Sequence, residues 1–112
     1  MDAEKAEWLS IPDVAELLDT SPGKVRRLVE ERALLGRKIE GVFYVAAALL
    51  HEGEPLAGVA GTATVLLDGG YGLEQTLDWL LTHHEELGVT PAEALRWGRK
   101  TEVRRIAQVL AL

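Results

Sequence analysis

Six basic side chains between residues 24 and 38 give this chain its clearest means of doing chemistry. Lys24, Arg26, Arg27, Arg32, Arg37 and Lys38 stand against only Glu30 and Glu31, a local charge of +4. Ammonium and guanidinium groups donate hydrogen bonds and accept none, so their chemistry is the capture of anions such as carboxylates and phosphates. A weaker cluster, Arg96, Arg99, Lys100, Arg104 and Arg105, lies near the end of the chain, and with Glu102 beside it reads as a solvated helix face. The adjacent His83 and His84 diverge, and with no Cys and no i, i+4 His pair they fit no common metal site. His51 has no partner in sequence, and Asp68-Gly69-Gly70 lacks the Lys-Ser/Thr that follows the glycines of a phosphate loop. No Ser/His/Asp set or carboxylate pair stands out. Catalysis, a cofactor and a metal are therefore not expected.

The elements that must position the basic cluster can be read from caps and periodicity. Ser10-Ile11-Pro12-Asp13 reads as a capping box that opens a helix with Val14, Leu17 and Leu18 on one face. Ser21-Pro22 starts another, with Ser21 as cap and Val25, Leu28 and Val29 as the apolar face. The turn between them is about three residues, the spacing of a helix-turn-helix. On a helical wheel for residues 21–33, Gly23, Arg26, Arg27 and Glu30 fall opposite the aliphatic side. Lys24 lies on the flank, and the stem of Arg32 falls on the buried side. Next, Arg37-Lys38-Ile39 and Val42-Phe43-Tyr44-Val45 flank Glu40-Gly41, a β-hairpin with a two-residue turn. Helix, turn, helix and hairpin is the order of a winged helix-turn-helix.

After a short apolar segment at Ala46–Leu50, the stretch His51-Glu52-Gly53-Glu54-Pro55 reads as a boundary between modules 1–50 and 51–112. Everything beyond it reads as helical: Val59 to Leu67, Leu73 to Leu81, a short helix opened by the Thr90-Pro91-Ala92-Glu93 capping box, and Thr101 to Leu112 after the break at Gly98. The expected fold class is mainly α with a small β-hairpin wing. Trp8, Trp79 and Trp97 read as core or interface anchors.

With 112 residues and 47% hydrophobic side chains, the chain is one small domain or two very small ones sharing a core. The lack of Cys excludes a disulfide framework and fits a reducing compartment. No apolar run reaches the roughly 18 to 20 residues of a membrane span, and Met1–Lys5 has no apolar signal core behind it. The expected location is the cytoplasm. The net charge of −6 argues, by itself, against an acidic partner. Residues 1–50 carry 7 basic and 9 acidic side chains, and residues 51–112 carry 5 and 9, so the excess lies mostly outside the +4 segment.

The block Gly61-Thr62-Ala63-Thr64-Val65-Leu66-Leu67-Asp68-Gly69-Gly70-Tyr71, then Trp79-Leu80-Leu81-Thr82, then Ala94-Leu95-Arg96-Trp97-Gly98-Arg99-Lys100-Thr101-Glu102-Val103-Arg104-Arg105, resembles the C-terminal domain of small actinobacterial DNA-binding proteins. Those carry an N-terminal winged helix-turn-helix, and some are substrates of serine/threonine kinases. The resemblance runs from about Trp8 to Leu112; the helix-turn-helix pattern alone is shared with the MerR and excisionase groups. This chain has no Ser or Thr before Ser10, so phosphorylation of an N-terminal tail does not carry over. Where Pro and Asp would be expected after Thr82, it has His83-His84-Glu85-Glu86. The stretch from Thr90 to Arg105 also looks distantly like the toxin-binding domain of some bacterial antitoxins.

What the resemblance implies is a nucleoid-located protein that binds double-stranded DNA, as a transcriptional regulator or a nucleoid-associated factor. Helix 21–33 would enter the major groove and wing 37–45 would hold the backbone. The expected contacts are Ser21, Gly23, Lys24, Arg26, Arg27, Arg37 and Lys38. Five phosphate contacts from Lys24, Arg26, Arg27, Arg37 and Lys38 would give a log–log salt slope of roughly −4.5. Residues 51–112 would pack on the winged domain or pair two copies into a homodimer. The competing expectation is a protein-interaction module, antitoxin-like or a kinase-regulated adaptor, whose helical half recruits another protein while the acidic excess keeps it off DNA.

Overall fold

The computed structural model describes residues 7–112; the Met1–Lys5 start lies outside the described residues. Helix α1 (Ile11–Leu17) begins where Ser10 Oγ accepts the Asp13 N–H at 3.2 Å, with Pro12 in the first turn. It buries Ile11, Val14 and Ala15 and stops at Asp19, whose φ of 54° lets the Thr20 N–H close back on the Ala15 carbonyl at 2.9 Å. Helix α2 (Pro22–Glu30) repeats the device: Ser21 Oγ accepts from the Lys24 N–H at 3.2 Å, and Val25 is fully buried.

The second helix ends three residues before the expected residue 33. Arg32 takes a left-handed φ of 67°, and the Ala33 and Leu34 N–H groups both return to the Leu28 carbonyl. The reversal turns Leu34 and Leu35 into the core. It also takes Arg32 off the helix, so that its guanidinium reaches Thr64 Oγ1 at 3.4 Å and Asp68 Oδ1 at 3.9 Å.

The hairpin pairs β2 (Gly36–Ile39) with β3 (Val42–Ala46) around Glu40 and Gly41, whose φ of 51° and 85° make a type I′ turn. A third strand, β1 (Trp8–Ser10), lies on the other side of β3 and gives the antiparallel order β1-β3-β2. From sequence this segment reads only as an apolar lead-in, because three residues are too few to show a period. Gly36 sits where any Cβ would collide with the Tyr44 carbonyl, so the β2–β3 approach requires glycine there.

After a 3₁₀ turn at Ala47–Leu49, the expected boundary loop is itself a small hairpin. Strands β4 (Leu50–His51) and β5 (Glu54–Pro55) pair around Glu52 and Gly53, with φ of 52° and 76°. Four helices follow: α3 (Val59–Asp68), α4 (Leu73–Leu81), α5 (Pro91–Arg96) and α6 (Lys100–Leu110). Thr90 Oγ1 caps α5 by accepting the Glu93 N–H at 3.0 Å, and Gly98 at φ 84° turns the chain into α6.

The architecture is a winged helix-turn-helix followed by a helical C-terminal part. One buried cluster runs through both: Val14, Val25, Leu34, Val45 and Leu49 join Leu56, Leu77, Leu80, Leu95, Val103 and Ile106. Arg96 adds polar ties across the same join, donating to the Ala48 and Leu50 carbonyls at 3.0 and 3.1 Å. Trp79 and Trp8 pack partly buried against the core, whereas Trp97 is 61% exposed and does not serve as a core anchor. Among the described residues no helix is long and apolar enough to cross a membrane.

Candidate nucleic-acid interface

The caps decide which side chains α2 offers to a partner. With Val25 buried and Leu28 and Val29 half-buried against the core, the helical period leaves Gly23, Lys24, Arg26, Arg27 and Glu30 exposed. Ser21 is exposed too, its hydroxyl already accepting from the Lys24 amide. A Cβ added to Gly23 would meet nothing closer than Ser21 Oγ at 3.9 Å. The start of α2 therefore presents bare backbone to the outside. Lys24, Arg26 and Arg27 make no ion pair among the described residues, so their charge is available.

The sheet divides the two wing cations. Successive residues of a strand point to opposite faces, and cross-strand partners share one. Arg37 pairs with Tyr44 and Tyr44 with Ser10, placing Arg37, Tyr44 and Trp8 on one face. Lys38 pairs with Phe43, placing both on the other. Phe43 lines a shallow depression of about 260 Å³ together with Ile11 of α1 and Arg26, Val29 and Glu30 of α2. Lys38 is thus on the sheet face that meets the helix-turn-helix, exposed and without an ion pair among the described residues.

Arg37 is committed elsewhere. Its guanidinium lies 2.6 Å from Asp78 Oδ1 and 3.3 Å from Glu74 Oε1, both on α4, and sits 4.9 Å over the Trp8 ring. Its side chain is 25% exposed. Sequence placed Arg37 and Lys38 together as neighbouring wing cations; the period-2 alternation that separates them, and the acids at Glu74 and Asp78, lie in different parts of the chain. Phe43, which joins wing to helix, carries no sequence signal of that role beyond its cross-strand position opposite Lys38, which follows from the hairpin register.

Two other polar residues singled out in sequence, His84 and Arg99, make structural contacts. His84 Nδ1 accepts the Glu86 N–H at 3.2 Å and its ring stands edge-on to Trp79, with centroids 6.1 Å apart. Arg99 Nε donates to Glu102 Oε1 at 2.8 Å, and the same guanidinium reaches the Leu87 carbonyl at 3.1 Å. That hydrogen bond holds the Glu102 carboxyl below the usual carboxylate range and raises Arg99.

Comparison with known proteins matches both parts of the chain. Residues 2–50 match the family described as the wHTH domain of the DNA-binding protein Rv2175c, and residues 56–111 match the family described as the Rv2175c C-terminal domain of unknown function. The DNA-binding protein Rv2175c of Mycobacterium tuberculosis (strain ATCC 25618 / H37Rv) is 31% identical over 114 residues, covering 90% of this chain and 78% of that protein. The NMR structure of Rv2175c superposes with a TM-score of 0.85 at 26% identity, covering 96% of this chain and 83% of that one.

Proposed function

The chain belongs to the Rv2175c family, and from that premise we propose that it binds double-stranded DNA, with α2 in the major groove and the β2–β3 wing against the adjacent backbone. Arg26 and Arg27 would reach base edges and phosphates, Lys24 a phosphate near the start of α2, and Lys38 the backbone beside the wing. Ser21 and the bare amide at Gly23 would let the start of α2 come close to the duplex. Arg37 braces the wing on α4 instead of contacting DNA. The observation that carries this reading is a set of exposed cations on one side of α2 that make no ion pair among the described residues, with Lys38 on the sheet face that meets it.

The biological role that fits is transcriptional regulation or nucleoid association in the cytoplasm, without catalysis. If residues 51–112 pair two copies, the site is a palindrome with half-sites about one helical turn apart. The test is a titration of labelled duplex with wild type and with Arg26→Ala/Arg27→Ala at low and at moderate salt. Binding at low salt that is lost in the double variant is expected. No binding at low salt, or binding indifferent to the substitutions, overturns the proposal.

A further inference from the structure

The helical half contains a cationic cleft that the DNA reading does not use. It opens between the first turn of α3 and the exposed side of α6, with a volume of about 850 Å³, in the range of small-molecule sites. Lys100, Arg104 and Arg105 line it and, among the described residues, no carboxylate does, in a chain that carries 18 acids to 12 bases. Lys100 and Arg104 make no ion pair among the described residues, and Arg105 meets Glu86 only at 3.9 Å.

Two glycines bring these cations onto the α3 backbone. A Cβ on Gly61 would collide with the Arg104 guanidinium, and one on Gly58 would stand 3.0 Å from Lys100 Cγ. Pro55 and Leu56 supply an apolar wall, and the Thr101 hydroxyl adds a donor and acceptor between the charges. Lys100 and Arg104 are i and i+4 on one helix, about 6 Å apart at their Cβ atoms, so their charges converge on one compact anion.

We propose that this cleft binds a small molecule carrying a diphosphate or an equivalent pair of linked anionic groups. Lys100 and Arg104 each take one group, Arg105 neutralises the remainder, and the apolar wall receives the organic part. A concave site with an apolar wall suits a small ligand better than the convex backbone of a duplex. The cleft also touches Ala33, just past the end of α2, so its occupant lies beside the segment that sets where that helix stops.

Inorganic pyrophosphate is the probe, titrated into the full chain by calorimetry and by amide NMR, with sulfate and a short DNA duplex as parallel arms. Saturable pyrophosphate binding that moves the Ala60, Gly61 and Thr101 amides is expected, with sulfate much weaker. Lys100→Gln/Arg104→Gln should weaken it by about tenfold or more, the scale of losing charge-assisted hydrogen bonds, with the thermal midpoint unchanged because both side chains are exposed. Arg26→Ala/Arg27→Ala should leave it unaltered. The proposal fails if pyrophosphate does not saturate, if sulfate binds equally well, or if the Lys100/Arg104 variant binds like wild type. It fails equally if the duplex moves the same amides and loses affinity in that variant, which would make the cleft part of the DNA surface.

Discussion

Arg37→Ala should weaken the fold and leave the salt dependence of DNA binding unchanged, whereas Lys38→Ala should do the reverse. The Arg37 guanidinium touches Asp78 at 2.6 Å and Glu74 at 3.3 Å and covers Trp8 at 4.9 Å. Exposed ion pairs are worth about 0.2–1 kcal/mol, and both carboxylates here are more than half exposed, so the low end applies. The ring contact adds about 0.5–1 kcal/mol. Against these, Arg37 Nε is buried without a hydrogen-bond partner among the described residues, a desolvation cost on the order of 1 kcal/mol. The net loss on truncation is then at most about 0.5 kcal/mol, which lowers the midpoint of a domain this size by no more than about 2–4 °C. A double-mutant cycle with Asp78→Ala should return a coupling of about 0.5 kcal/mol. For DNA, four available cations give a log–log salt slope of about −3.6, compared with roughly −4.5 if Arg37 were a fifth. Fluorescence anisotropy from low to moderate salt should keep the slope near −3.6 in Arg37→Ala and reduce it to about −2.7 in Lys38→Ala. A slope that falls by about 0.9 in Arg37→Ala, with an unchanged melting midpoint, would refute the brace and return Arg37 to the DNA surface.

Gly23→Ala should raise stability by about 0.5–1 kcal/mol, since the added methyl has open space in a helix, yet weaken duplex binding by blocking backbone approach. Paired thermal melts and anisotropy separate the two effects, and equal or tighter binding would show that no duplex approaches there. Gly36→Ala should cost about 1–3 kcal/mol or more in urea unfolding, because its Cβ meets the Tyr44 carbonyl and the β2–β3 spacing must yield. Glu102→Gln should remove part of the acid-side loss of stability. The Arg99 hydrogen bond lowers the folded Glu102 pKa, so its stabilisation is complete above the ordinary carboxylate range and is lost as pH falls through the lowered value. Wild type and variant melts compared across that acidic window should converge at the lowest pH, and a constant gap would contradict the linkage.

The helices were legible because their punctuation is local. Ser10, Ser21 and Thr90 each precede a proline within two residues and each side chain caps as its type dictates. Glu40-Gly41 announced its turn in the same way. Glu52-Gly53 is the same dipeptide in the same conformation, yet its strands are two residues long and left no alternation to read. Strand β1 escaped for a similar reason, and its existence depends on β3, more than thirty positions away. The end of α2 was set from outside: aliphatic periodicity continues past Glu30, but burying Leu34 and Leu35 requires the left-handed Arg32. At the candidate site, the exposed face of α2 followed from one helical wheel. The fate of Arg37 did not, because its acids lie 37 and 41 residues further on.

The partition of charge bears on how this protein could hold DNA at all. Glu74 and Asp78 are spent on Arg37, and Asp68 lies near Arg32, so two of the six cations in the +4 segment carry little free charge. Four contacts with a slope of about −3.6 imply a loss of roughly 150-fold between 50 and 200 mM salt. Starting from the weak nonspecific affinity that a net charge of −6 allows, that leaves little for one copy bound through phosphates alone. Either base contacts by Arg26 and Arg27 supply salt-insensitive free energy, or two copies act together. The two cases differ in one observable: a pair of copies doubles the slope to about −7.2, whereas base contacts by Arg26 and Arg27 leave it no steeper than about −3.6 and make affinity depend on sequence. The salt slope on a single defined site therefore counts the subunits that grip it.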